Sequence, residues 1–396
     1  MNMKTSLAIL CINGFVFIIL CSFLLVHPGP QNCTIEYSPE KDLANLDKKT
    51  EASNTSQTYY ERQALLYKNC ANAPKIGLKG RETLYFYAEA NNLAFCKTPK
   101  SGSTFVGTVV SALKHREEFG NLFHANRESI HGRNEAKFSA IFSSTVVPVK
   151  LVLVVRNPYT RLFSAYIDKY SILAAWGKRL ANVKQKGLFK MGAGYCGYNV
   201  SFEDMLDSVT TKAIIEEHTM TVTEICKPCT VHYDIICKQE TLNTDTEYVL
   251  NAGNITESKR RAILKMIHGT TLNDTLFGWI SSQLVYYKSF EHDCPDIILY
   301  MEKLWQALQS QGYIDLSLTF PAHEFKKLEK LEAEGLTTLI LKLINTAPLS
   351  KSQMSMQKKR VLAEAYSRIK PATLARIKTM FAQDFSLFGY DTSVPV

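Results

Sequence analysis

The stretch that most constrains this chain is Leu93 to His115, LAFCKTPKSGSTFVGTVVSALKH. Leu93-Ala94-Phe95-Cys96 is a short apolar run of the kind that makes a buried strand. Phe105, Val106, Val109, Val110 and Leu113 then recur at helical spacing on one face. Between them lies a turn of small residues, Pro99-Lys100-Ser101-Gly102-Ser103-Thr104. Strand, tight turn and helix together present backbone N–H groups and a helix N-terminus to an anion. Gly102 permits close backbone approach. Ser101, Ser103 and Thr104 bring hydroxyl donors, and Lys100 brings a mobile positive charge. A Walker A loop needs Gly-x-x-x-x-Gly-Lys-[Ser/Thr]. Here the lysine precedes the glycine, which opposes a kinase that uses ATP and magnesium. The plain alternative is a serine-rich helix cap beside a solvated lysine.

A second stretch answers the first. Leu151-Val152-Leu153-Val154-Val155 is an unbroken apolar run, as expected of a strand buried on both faces. It leads directly into Arg156-Asn157-Pro158-Tyr159-Thr160-Arg161-Leu162-Phe163-Ser164-Ala165-Tyr166. Pro158 suits the first turn of a helix. That puts Arg156 at the strand's C-terminal end and Ser164 about two turns into the helix.

Together the two stretches resemble the 5′-phosphosulfate loop and the 3′-phosphate motif of sulfotransferases that use 3′-phosphoadenosine 5′-phosphosulfate (PAPS). The resemblance implies that Pro99, Lys100, Ser101, Gly102, Ser103, Thr104 and Phe105 bind the phosphosulfate end, and that Arg156 and Ser164 hold the 3′-phosphate. Arginine fits that role because its fork binds phosphate oxygens bidentately. The implied fold is α/β, a P-loop-like sulfotransferase fold with a central mostly parallel sheet flanked by helices. The plain reading of Arg156, a surface ion pair, is opposed by both motifs occurring in order.

From Glu216 to Leu242 the resemblance narrows to Golgi carbohydrate sulfotransferases of the chondroitin/dermatan 4-sulfotransferase type. It rests on His218, Cys226, Pro228, Cys229, Tyr233, Asp234, Ile236, Lys238, Glu240, Thr241 and Leu242. Three positions depart from the pattern. Thr219 stands for the tryptophan after the histidine, Cys237 for a glycine, and Gln239 for an aromatic residue. These changes leave nucleotide use untouched and put the acceptor sugar in question.

The implied reaction moves a sulfuryl group from PAPS to an acceptor hydroxyl, most directly on N-acetylgalactosamine of chondroitin or dermatan. A heparan chain or a glycoprotein glycan is the alternative acceptor. A catalytically decayed, membrane-anchored glycan-binding protein is the alternative from another class. Lys100 is the expected stabiliser of charge on the leaving phosphate. A base must lie within reach of the acceptor hydroxyl. His218 is the first choice, with Glu216, Glu217, His124 and His131 open. No metal is expected.

Leu7 to Val26 is uncharged and long enough to span a bilayer, which takes ~20 residues. Lys4 precedes it, and the nearest charges beyond it, Glu36 and Glu40, are negative. This predicts a cytoplasmic tail over 1–5, a signal-anchor helix over 6–26, a lumenal stem over 27–81 and a catalytic domain over 82–396. A cleaved signal peptide is the alternative. The location implied is the Golgi membrane, single-pass and type II.

Five sequons begin at Asn32, Asn54, Asn199, Asn254 and Asn273, consistent with passage through the secretory pathway. Eight of the ten cysteines lie beyond the apolar run, where disulfides form, although spacing leaves their pairing open. Cys226-Lys227-Pro228-Cys229 reads as structural disulfide chemistry rather than half of a zinc site.

Net charge is +9, from 46 Lys+Arg against 37 Asp+Glu. That suits a polyanionic acceptor but also ordinary surface charge. No basic tract interleaved with aromatics argues for nucleic acid. The basic segment 178–197 is expected to be a loop, either facing the acceptor or simply solvated. Two amphipathic helices are expected over 258–268 and 324–344, and a docked terminal segment over 381–390. The expected partner is a glycan or proteoglycan, and a homodimer is allowed.

Overall fold

A computed structural model describes residues 5–12, 15–22, 33–34, 54–74, 76–77, 82–115, 122–124, 127–144, 148–172, 196, 200–328 and 330–395. The tail 1–4, the stem residues 35–53, the sequons at Asn32 and Asn199, and the segment 178–197 apart from Cys196 lie outside them.

The apolar run near the N-terminus is not helical where it is described. β1 (Thr5–Ile12) pairs antiparallel with β2 (Phe15–Ser22), and β3 (Cys33–Thr34) adds to β2. The described residues form strands where a helix over 6–26 was expected. Ile, Val and Phe fit a pleated ladder as readily as a helix, and a short apolar run does not by its periodicity distinguish the two. Among the described residues no helix is long and apolar enough to cross a membrane.

The central sheet has five strands in the order β6-β4-β5-β7-β8, namely β4 (Leu84–Ala88), β5 (Leu93–Cys96), β6 (Glu135–Lys137), β7 (Lys150–Val155) and β8 (Ile235–Lys238). β5, β7 and β8 run parallel, while β4 pairs antiparallel with both β5 and β6. The parallel half therefore opens three loops at one edge, after Cys96, Val155 and Lys238. In open α/β sheets ligands bind outside the carboxyl ends of parallel strands.

β7 is buried on both faces, as its unbroken apolar run demands. Val152 and Val154 pack with Phe86, Phe95, Val106, Val109 and Val110, while Leu151, Leu153 and Val155 pack with Tyr67, Tyr85, Ala94, Tyr233 and Ile236. Helix α1 (Asn54–Cys70) covers part of the second face. Leu66, Tyr67 and Cys70 on it are fully buried, and Arg62 pairs with Asp245 at 2.7 Å. This helix lies within the stretch expected to be stem, yet it belongs to the folded unit.

Two further helices carry the site. α2 (Ser103–Lys114) follows β5, and α3 (Pro158–Tyr166) follows β7. The middle region is helical and builds a separate apolar cluster from α4 (Leu272–Phe290), Ile297–Ser310 and Ala333–Ile344. Glu257–Gly269 is a helix as expected, whereas 324–344 is broken into Ala322–Phe325 and Ala333–Ile344. The terminal helix Ala382–Phe388 docks through buried Phe385, Leu387 and Phe388.

Candidate active site

The turn after β5 is tightly bent. Lys100 has φ +67° and Gly102 φ +91°, a region that a lysine rarely adopts. Thr98 fastens the turn to the sheet by donating to the carbonyl of Val154 at 2.7 Å. A Cβ on Gly102 would sit 2.6 Å from Leu242 Cδ2, so any other residue would have to displace that side chain besides adopting a positive φ. Gly102 caps α2 with no side-chain hydrogen bond, which leaves the first-turn N–H groups for an anion.

Ser101 is fully buried, and its Oγ finds no partner among the described residues. An orphaned hydroxyl beside an uncapped helix start fits a group that brings acceptor oxygens, as a phosphosulfate does. Pro99 lends its carbonyl to Arg161, Ser103 is buried, and Phe105 packs on Phe123 at 5.8 Å.

Arg156 stands where β7 ends. Its Nη1 donates to the Lys100 carbonyl at 2.9 Å and its Nε to Thr160 Oγ1 at 3.1 Å. Burial pulls its pKa down to about 10, with the Glu240 carboxylate opposing, so it stays cationic at neutral pH. Glu240 accepts from the Asn157 backbone N–H at 3.0 Å and from the Tyr390 hydroxyl at 2.9 Å. Asn157 caps α3 by accepting from the N–H groups of Tyr159 and Thr160, and Pro158 opens the first turn. Ser164 is half-buried on α3, one turn short of Asp168.

Lys100 Nζ meets Asp168 Oδ2 at 2.9 Å, with both side chains at most 10% exposed. Asp168 lies in a π-helical turn, Ile167–Ser171, that continues α3. Single π-turns in helices recur at functional sites.

His218 pairs with Glu216. The ring Nδ1 is 2.7 Å from Glu216 Oε2, and the His218 backbone N–H donates to the same oxygen at 2.8 Å. The Tyr170 hydroxyl donates to Glu216 Oε1 at 3.3 Å. Burial lowers the His218 pKa most, Glu216 pulls it back up, and the charges of Lys169 and Lys100 add to the lowering. Burial pushes Glu216 up, but the hydrogen bonds and charge of His218 outweigh it and leave the carboxyl below its ordinary value.

Arg161 locks these parts together. Its buried guanidinium donates to Pro99 O at 2.9 Å, to Glu217 O at 3.2 Å and to Met220 O. One side chain thus fixes both the phosphate turn and the His218 segment. The other base candidates stand elsewhere. His131 Nε2 is 3.3 Å from Thr104 Oγ1 beside the first turn of α2, and the side chain of His124 lies outside the described residues.

Among the described residues the disulfides are Cys70–Cys229, Cys96–Cys226 and Cys196–Cys294, the last in the apolar cluster of the middle region. Cys96 immediately precedes the phosphate turn, and Cys226 follows the His218 segment. The two cysteines of the CxxC take different partners. Cys237 is a buried free thiol whose pKa burial pushes up. Among the described residues no cluster of His, Cys, Asp or Glu is arranged to hold a metal ion. Asn254 and Asn273 are exposed, and Asn54 is the first residue of α1.

Sequence reasoning gave no role to Asp168, Arg161, Glu240 or Gln283. For Asp168 a signal existed, since it falls four residues after Ser164 at helical spacing. Gln283 carried none.

Comparison with known proteins places the chain among sulfotransferases. The family model described as "Sulfotransferase family" matches residues 83–306. Carbohydrate sulfotransferase 11 of Rattus norvegicus is 25% identical over 281 residues, covering 62% of this chain and 78% of that protein. Carbohydrate sulfotransferase 11 of Danio rerio is 29% identical over 212 residues, covering 49% and 60%. Carbohydrate sulfotransferase 10 of Gallus gallus is 27% identical over 198 residues, covering 43% and 52%. No solved structure matches.

Proposed function

The chain belongs to the sulfotransferase family, and from that membership we propose that it transfers a sulfuryl group from PAPS to a hydroxyl of a carbohydrate. The observation that carries the reading is the pairing of Lys100 with Arg156 across two loops at one sheet edge. The carbohydrate acceptor is supported by relatives named carbohydrate sulfotransferase 10, 11 and 14. N-acetylgalactosamine of chondroitin or dermatan is the narrower reading. Thr219, Cys237 and Gln239 favour keeping a heparan chain or a glycoprotein glycan beside it.

PAPS supplies an activated sulfuryl group on a phosphate that leaves. Lys100, Ser101 and the open amides of α2 stabilise negative charge at the phosphosulfate end. Arg156 and Ser164 hold the 3′-phosphate. His218 takes the proton of the acceptor hydroxyl. Glu216 engages Nδ1, which assigns the basic lone pair to Nε2. The lowered pKa keeps the ring neutral and ready to accept at neutral pH.

Three disulfides support an oxidising compartment of the secretory pathway, and the Golgi lumen is part of this reading. A membrane anchor rests on the composition of residues 6–26 alone. A two-stranded hairpin has open edges that hydrocarbon does not tolerate, so an anchor requires that segment to become helical in a bilayer.

The test is the glycosylated full chain with radiolabelled PAPS and a panel of desulfated chondroitin, dermatan, heparan and glycoprotein glycans. Label at the 4-position of N-acetylgalactosamine supports the narrow reading. Label elsewhere moves the acceptor. No label on any acceptor overturns the reading in favour of a decayed glycan-binding protein.

A further inference from the structure

We propose that Asp168 is the positioning residue of the transfer site, holding the ammonium of Lys100 where charge develops on the leaving phosphate, and that Gln283 extends this control to the helical middle region. The proposal rests on the function proposed above. Lys100 Nζ is 2.9 Å from Asp168 Oδ2, and Lys169 Nζ is 3.5 Å from the same oxygen. Gln283 Nε2 donates to the other oxygen, Oδ1, at 3.2 Å. Both carboxylate oxygens are therefore engaged, and their rotation is fixed from two sides.

The partners are themselves held. Gln283 is buried on α4, and its backbone carbonyl accepts from the Tyr300 hydroxyl at 2.7 Å. Lys169 Nζ lies 4.7 Å from the centre of the Tyr286 ring, also on α4. Lys303 reaches the carbonyl of Ser171 at 3.4 Å, at the end of the π-turn that carries Asp168.

A lysine side chain has four rotatable bonds, and its reach alone does not aim it. Lys100 is already bent at its backbone, so the ammonium needs a fixed partner to sit in one place. Asp168 spends its two oxygens on Lys100, Lys169 and Gln283, which sets it apart from the base role. It orients the lysine, while His218 pairs with Glu216. The middle region, which the sequence left without a task, thereby reaches the reacting end of the donor through one amide.

The test compares Asp168→Asn, Asp168→Glu and Gln283→Met in the full chain. Steady-state transfer gives kcat and the KM for PAPS, and calorimetry gives the Kd for adenosine 3′,5′-bisphosphate, the spent nucleotide. Asp168→Asn is expected to lower kcat about 10- to 100-fold, the scale of misplacing a catalytic group, with a smaller weakening of the nucleotide Kd and an unchanged fold. Asp168→Glu regains part of the rate, and Gln283→Met shows a smaller fall of the same kind.

Wild-type kcat in Asp168→Asn overturns the proposal. So does a parallel loss of nucleotide binding and thermal stability, which marks a merely structural role. If Asp168→Asn does not fold, Gln283→Met decides, and unchanged kcat there overturns the link to the middle region and with it the proposal. A wild-type chain that binds no spent nucleotide and labels no acceptor sinks the proposed function itself, a result distinct from active wild type with an unaffected variant.

Discussion

Arg156 donates from Nη1 to the backbone carbonyl of Lys100 at 2.9 Å. The two residues are 56 positions apart and lie in the loops after different strands, yet one hydrogen bond joins them. The turn and the arm proposed to hold the phosphosulfate and the 3′-phosphate are therefore built as one object. The parallel pairing of β5 with β7 sets this up, since it brings Phe95 opposite Val152 and so delivers both loops to the same edge.

Lys100→Ala removes the positive charge without touching the core. It is expected to cut kcat by about 100- to 1,000-fold, the scale for removing one preorganised charge-stabilising group. Far-UV circular dichroism stays at wild-type values, while the melting temperature falls because buried Asp168 loses its nearest cation. Turnover near wild type contradicts the assignment.

Arg156→Lys does not rescue Arg156→Ala. The guanidinium spans the Lys100 carbonyl and Thr160 at once, and an ammonium on a flexible stem cannot reproduce that planar fork. Both variants lose affinity for adenosine 3′,5′-bisphosphate by calorimetry. Full rescue by lysine contradicts a bidentate role.

Gly102→Ala meets two penalties, a positive φ and a Cβ 2.6 Å from Leu242 Cδ2. It is expected to destabilise by about 1–3 kcal/mol, the scale of overpacking and backbone strain, and to reduce nucleotide affinity. Leu242→Ala in the same chain relieves the contact but not the φ strain, so recovery is partial. Denaturant unfolding measures both.

The acid limb of kcat/KM falls below the ordinary histidine value of about 6.5, because burial lowers the His218 pKa and the ring stays neutral to lower pH. Glu216→Gln removes the group that pulls that pKa up, so the limb moves lower still. His218→Ala removes the limb. The same shift acts on stability. As pH falls through the ordinary histidine range the unfolded chain takes the proton first, so His218's contribution is lost downward from there. A limb that moves up in Glu216→Gln contradicts the pairing.

Cys96 and Cys226 join the strand before the phosphate turn to the segment after His218. Replacing both by serine is expected to cost about 2–5 kcal/mol, the usual scale for a native disulfide. Activity falls with it, because both arms of the site lose their brace. Urea unfolding with and without reductant, read beside transfer, checks this.

Much of this site was legible in the residues that carry chemistry. The small-residue turn after an apolar strand announced an anion, and Arg156 after a valine-rich run announced the second arm. Those signals are local, so sequence carries them. The disulfide partners were not legible, because Cys70–Cys229 and Cys96–Cys226 are set by which strands and helices meet. Nor was Gln283, 115 residues from Asp168, whose role exists only once α4 packs against the π-turn. α1 carried a local signal that the stem reading passed over, since Tyr59, Leu66, Tyr67 and Cys70 recur on one helical face. The N-terminal run differs for another reason, since its composition suits strand and helix alike.

The most direct measurement is transfer of radiolabel from PAPS to desulfated chondroitin by the full chain, run beside Lys100→Ala and Arg156→Ala. The account predicts label incorporated by the wild type and lost in both variants while their folds persist. Label incorporated equally by all three, or by none while the wild type binds sulfated glycans without any affinity for the nucleotide, contradicts it.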